Sequence, residues 1–155
     1  MKNSILPLFI ISILFTACQT ENKTDEEEAQ LIADSNPVNV SETHCYSYIK
    51  NNDTAKLNFI STNGIVTGEL MYNLYEKDKN TGLIEGEMKG DTLIAEYNFN
   101  AEGRESIRQV VFLKKGNDLV EGFGDVEVRR GKMMFKNTAT LNFGDAIVFK
   151  KVDCQ

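Results

Sequence analysis

The chain has 155 residues, 17 Lys and Arg against 23 Asp and Glu, one histidine, three cysteines and no tryptophan, and a formal net charge of −6. That length allows one domain with a modest core. No basic stripe accompanies it, which argues against a nucleic-acid partner.

Lys2 opens a short basic start, and Ile5 to Phe15 (ILPLFIISILF) is apolar apart from Pro7 and Ser12. Such a run is too short to cross about 30 Å of hydrocarbon. It reads as the apolar region of a signal peptide over residues 1–17, with small Thr16 and Ala17 before the cleavage point. Phe15-Thr16-Ala17-Cys18 resembles the lipobox of bacterial lipoproteins, with Phe15 in place of the usual leucine. The resemblance covers about the first 20 residues. It implies cleavage before Cys18, acylation of its thiol, and a membrane partner engaged through that lipid anchor. Gln19 after the cysteine carries no inner-membrane retention signal by the same resemblance, which implies the outer membrane, facing either the periplasm or the cell surface.

Residues 18–43 are polar and acidic, with Glu21, Asp25, Glu26, Glu27, Glu28 and Asp34 against Lys23 alone between 21 and 34. They cannot bury enough apolar surface to offset ordering entropy and read as an acidic flexible tether. From 44 to 155 the counts are 15 basic and 16 acidic residues, so the domain is nearly neutral. With Cys18 acylated, Cys45 and Cys154 remain at the two ends of that domain. In an oxidising compartment they pair.

From Cys45 onward apolar residues recur every second position. Ala55, Leu57 and Phe59 form one face; Val66, Gly68, Leu70, Tyr72 and Leu74 a second; Leu93, Ala95, Tyr97 and Phe99 a third. That alternation predicts half-buried strands. Turn signals separate them at Asn51-Asn52-Asp53, Asn63-Gly64, Asn80-Thr81-Gly82, Gly90-Asp91, Glu102-Gly103, Gly116-Asn117-Asp118 and Arg130-Gly131. Asn63-Gly64 suits a two-residue hairpin turn that needs positive φ twice. Glu105 to Leu113 reads as a strand because Val110, Val111 and Phe112 favour one.

Three hexapeptides repeat: NGIVTG (63–68), TGLIEG (81–86) and NDLVEG (117–122). They place Gly68, Gly86 and Gly122 on the faces of Val66, Ile84 and Val120, taken as inward. Recurrent inward glycines are one device that curls a sheet. The predicted fold is therefore all-β: an antiparallel up-and-down meander of 8–10 strands over residues 44–155, curled into a barrel or a strongly coiled sheet and closed by one disulfide. This architecture is similar to the lipocalin-like barrels of small bacterial lipoproteins. The C-x-x-C of the copper-homeostasis and envelope-stress lipoproteins is absent, so their metal chemistry is not implied.

No catalytic residues emerge. The sole histidine, His44, has no nucleophile motif with it, and one histidine without a free thiol does not make a zinc site. Asp78-Lys79-Asn80-Thr81-Gly82 is too short for a calcium loop and reads as a hairpin turn. Glu85 with Glu87, and Asp125 with Glu127, read as solvated faces. No cofactor is implied. Arg108, spaced at i, i+2 with Val110 and Phe112, either shares their inward face or lies on the wet one. Facing inward it needs a carboxylate or a ligand anion, and Glu96 on the neighbouring strand is the candidate partner. Arg108, Glu96, Tyr72 and Tyr97 are the candidate ligand-binding residues. The leading expectation is a non-enzymatic, membrane-anchored envelope lipoprotein with an interaction or structural role toward a protein partner. The alternative is a carrier of a small apolar or anionic ligand inside the barrel.

Overall fold

A computed structural model describes residues 39–101, 103–144 and 147–155. The expected signal peptide, Cys18 and nearly all of the expected tether lie outside the described residues. Ten strands are formed among the described residues: β1 Ser41–Lys50, β2 Asp53–Thr62, β3 Ile65–Asn73, β4 Asn80–Lys89, β5 Thr92–Ala101, β6 Arg104–Lys115, β7 Asp118–Glu121, β8 Val126–Arg129, β9 Lys132–Phe135 and β10 Val148–Val152. β1 begins at Ser41, so the last residues assigned to the tether already belong to the domain.

Hydrogen-bonded order runs β5-β4-β3-β2-β1-β10-β7-β6, and a β5–β6 pairing closes it into an eight-stranded barrel. β1 to β7 follow one another as a meander. The chain then leaves the wall for the β8–β9 hairpin and a 3₁₀ turn, Thr138–Thr140. It returns as β10, inserted between β1 and β7. Closure gives each strand of the barrel wall two neighbours, which limits the exposed edge that could template aggregation.

The hairpins are tight because their turn residues tolerate left-handed backbone. Asn63 and Gly64 have φ of 51° and 83°, and Arg130 and Gly131 have 51° and 79°. Asn80-Thr81-Gly82 departs from expectation. It opens β4 rather than making a turn, and the reversal falls on the preceding residues, where Lys77 N–H donates to the Leu74 carbonyl at 3.1 Å.

Three inward glycines, Gly68, Gly82 and Gly86, explain the curl. A Cβ on Gly68 would stand 2.2 Å from the Asn58 carbonyl oxygen, and one on Gly86 would stand 2.1 Å from that of Ile94. Adjacent backbones thus approach too closely for any side chain. Gly122 differs: it faces outward, and its added Cβ would strike the Phe143 ring at 2.7 Å.

The barrel axis is filled. Tyr97, Phe112, Phe149, Leu57, Leu70, Ile84 and Leu93 are fully buried, each contributing roughly 1.5–3 kcal/mol for an aliphatic or phenyl group. Phe112 and Phe149 meet edge to face at 5.5 Å, and Phe149 meets Tyr72 at 6.4 Å. Cys45, on the opposite face of β1 from Tyr46 and Tyr48, forms the disulfide with Cys154 across a Cα–Cα distance of 5.3 Å, as expected from their placement at the two ends of the domain.

Candidate functional site

The wall is complete on one side and interrupted on the other. The β6–β7 ladder stops at Phe112–Glu121. Beyond it Gly122 N–H donates to the Val111 carbonyl at 2.8 Å, and the chain diverges. The first half of β6 instead takes β9 as a parallel neighbour at Arg108–Met133. The β8–β9 hairpin lies over this seam. Phe135 N–H donates to Gln109 Oε1 at 3.2 Å, and Lys132 Nζ donates to Glu96 Oε2 at 2.5 Å. Beneath it is a pocket of about 170 Å³ lined by Arg108, Val110, Glu121, Gly124, Met133 and Phe135 among others.

Arg108 faces inward. It pairs in register with Tyr97, which is fully buried, and shares the face of Val110 and Phe112. Its guanidinium carbon sits 5.1 Å from the centroid of Tyr72, 5.4 Å from Tyr97 and 5.5 Å from Phe99. Three ring faces turned toward one cation replace part of the hydration it loses, each contributing roughly 0.5–2 kcal/mol.

Glu96 is not the partner of Arg108. It lies on the outer face of β5, opposite Gln109 and Glu85, and pairs with Lys132. Strand alternation requires this: Ala95 and Tyr97 point in, so Glu96 points out. The carboxylate inside is Glu121, only 6% exposed. Its Oε1 accepts a 2.9 Å hydrogen bond from Tyr72 Oη. Burial pushes its carboxyl up to about 7, against the opposing pull of the Tyr72 hydrogen bond and the Arg108 charge. Burial also raises the Tyr97 hydroxyl to about 12 and Tyr72 well above the ordinary tyrosine range. Both phenols are therefore protonated donors at any physiological pH. Among the described residues four buried side-chain polar atoms have no hydrogen-bond partner: Arg108 Nε, Glu121 Oε2, Tyr97 Oη and Asn80 Oδ1. Unsatisfied atoms of this kind cost about 1–3 kcal/mol each.

Of the sequence-predicted site residues, the structure thus brings together Arg108, Tyr72 and Tyr97 and excludes Glu96. Glu121 was not foreseen, because the hexapeptide repeat put Val120 and Gly122 inward. In the structure Leu119 and Glu121 take that face, opposite Phe149 and Phe112. Both faces of β7 are covered, so Leu119, Val120 and Glu121 are all buried and the strand carries no readable alternation.

The barrel has hollows elsewhere. The opposite mouth holds a cup of about 190 Å³ lined by Glu42, His44, Ser61, Met88, Lys114 and Lys151, with His44 Nε2 3.3 Å from Glu42. On the outer wall Ile60, Ile65 and Leu83 are exposed near Gly68. Among the described residues no three His, Cys, Asp or Glu side chains gather as a metal site would need. No family model, curated protein or solved structure matches the chain.

Proposed function

We propose that this protein is a membrane-anchored, non-enzymatic binding protein of the bacterial outer membrane, holding a small ligand between β6, β7 and the β8–β9 hairpin. One observation carries the reading: Glu121, buried in the barrel, lines the same pocket as Arg108 and leaves Oε2 without a partner. A purely structural barrel gains nothing from such groups. Apolar side chains of similar volume would leave it equally or more stable. This weighs against the structural or partner-binding role that the sequence places first. The filled axis weighs equally against a lipid carrier, which needs several hundred Å³. A cavity of about 150 Å³ holds a benzene-sized molecule, and the pocket here is about 170 Å³. The lipobox resemblance at Cys18 supports the anchor.

The reading is tested by incubating the full chain in detergent with a metabolite extract and recording native mass spectra. A retained adduct of small-metabolite mass is expected, lost when Met133→Trp fills the pocket mouth. No adduct, or one that survives Met133→Trp, overturns the site. Palmitate labelling tests the anchor separately: wild type should be labelled and Cys18→Ser should not.

A further inference from the structure

We infer that the ligand of this pocket is an amino-acid-sized zwitterion, its carboxylate held by Arg108 and its ammonium by Glu121, with an aliphatic side chain against Val126, Met133 and Phe135. The inference rests on the pocket reading above and adds the chemical class. Arg108 and Glu121 line one partly open pocket of about 170 Å³, and each has a buried polar atom unmatched: a donor on Arg108 Nε and an acceptor on Glu121 Oε2. A ligand satisfying both must offer an acceptor and a donor at once.

Charge accounting narrows this further. An anion alone would meet Arg108 favourably but bring a second negative charge to Glu121. An amine alone would bring a second positive charge to Arg108. Either leaves one buried charge facing a like charge, which in a site of low effective dielectric costs several kcal/mol. A zwitterion presents each charge to its opposite and adds no net charge to the barrel. Arg108 is suited to the carboxylate end, because its guanidinium stays protonated and matches a carboxylate in a planar fork. The three rings around it hold that fork in place. Glu121 is similarly oriented through Oε1 by Tyr72, leaving Oε2 for the ligand. Apart from Gln109 the remaining lining is apolar, and the volume excludes a peptide.

Isothermal titration of the full chain in detergent with glycine, alanine, valine and leucine, against isobutyrate and isobutylamine, decides the question. The tightest amino acid should bind at least tenfold more strongly than either single-charge analogue. Glu121→Gln should shrink that preference below threefold. Arg108→Lys, which keeps the charge but loses the fork, should weaken amino acid and isobutyrate together by about tenfold, with thermal melts confirming that both variants fold. Isobutyrate binding as tightly as every amino acid overturns the zwitterion. If no amino acid binds but the extract still yields an adduct sensitive to Met133→Trp, the class is wrong and the pocket stands. If neither binds, both fall.

Discussion

The wall from β1 to β5 and the segment from β6 to β10 are built by different rules. In the first, 9- or 10-residue strands alternate except at Cys45 in β1, as in β2 with Ala55, Leu57 and Phe59 buried between exposed Lys56, Asn58 and Ile60. Each strand pairs with its neighbour along nearly its full length. In the second, β7 has four residues, β10 five, and a long connection crosses the outside before the barrel closes. The regular wall has one wet face and, among the described residues, buries no charged side chain. In the irregular half β7 is covered on both faces, and Arg108 and Glu121 sit where the chain departs from the ladder. Regularity here makes the container, and irregularity makes the site.

Breaking the link between the two halves has the largest expected effect. The Cys45–Cys154 bridge ties β1 to the end of the chain across 109 residues, and its removal in Cys45→Ser/Cys154→Ser should cost about 4–5 kcal/mol in denaturant titrations by loop-closure entropy. A loss below about 1 kcal/mol would show that strand pairing alone holds the ends. Next comes the pH response of the irregular half. The Glu121 carboxyl, held at about 7 in the fold against 4.5 when free, binds its proton more tightly folded than unfolded. Its penalty is absent below pH 4.5, grows between 4.5 and 7, and is complete above. Facing it are Tyr72, Arg108 and Tyr97. Relative to Glu121→Gln, the wild type should lose on the order of 3 kcal/mol across that window. Parallel stability curves for the two proteins would place Glu121 in water.

In the regular wall, Gly86→Ala forces a methyl to within 2.1 Å of the Ile94 carbonyl oxygen. It should destabilise by about 2 kcal/mol, as overpacking does, whereas Gly90→Ala, whose Cβ would meet nothing within 4 Å, should cost less and only through its positive φ. Equal losses would mean that the strands spread freely. The smallest effect is expected for Glu96→Ala. Its exposed pair with Lys132 is worth under about 1 kcal/mol, and ligand binding should be unchanged. Lost binding would put Glu96 back in the site.

Much of this was legible beforehand because it is local. Two-residue alternation marks strands β2, β3 and β5, and Asn63-Gly64 marks its turn, since those patterns need only one wet face and two positive φ angles. Arg108 could be set beside Val110 and Phe112 by spacing alone, though not assigned to the inside. Asn80-Thr81-Gly82 misled because polar residues and a glycine suit a turn and a strand crossing equally well.

The amino-acid order therefore determined the β character, the curling glycines, the paired cysteines and the row carrying Arg108. Only tertiary structure decided which way β7 faces, that β10 enters between β1 and β7, and that Glu121 rather than Glu96 shares the pocket with Arg108. A strand buried on both sides has no hydrophobic contrast to set its parity, and a one-residue change of parity moves a carboxylate from solvent to the interior.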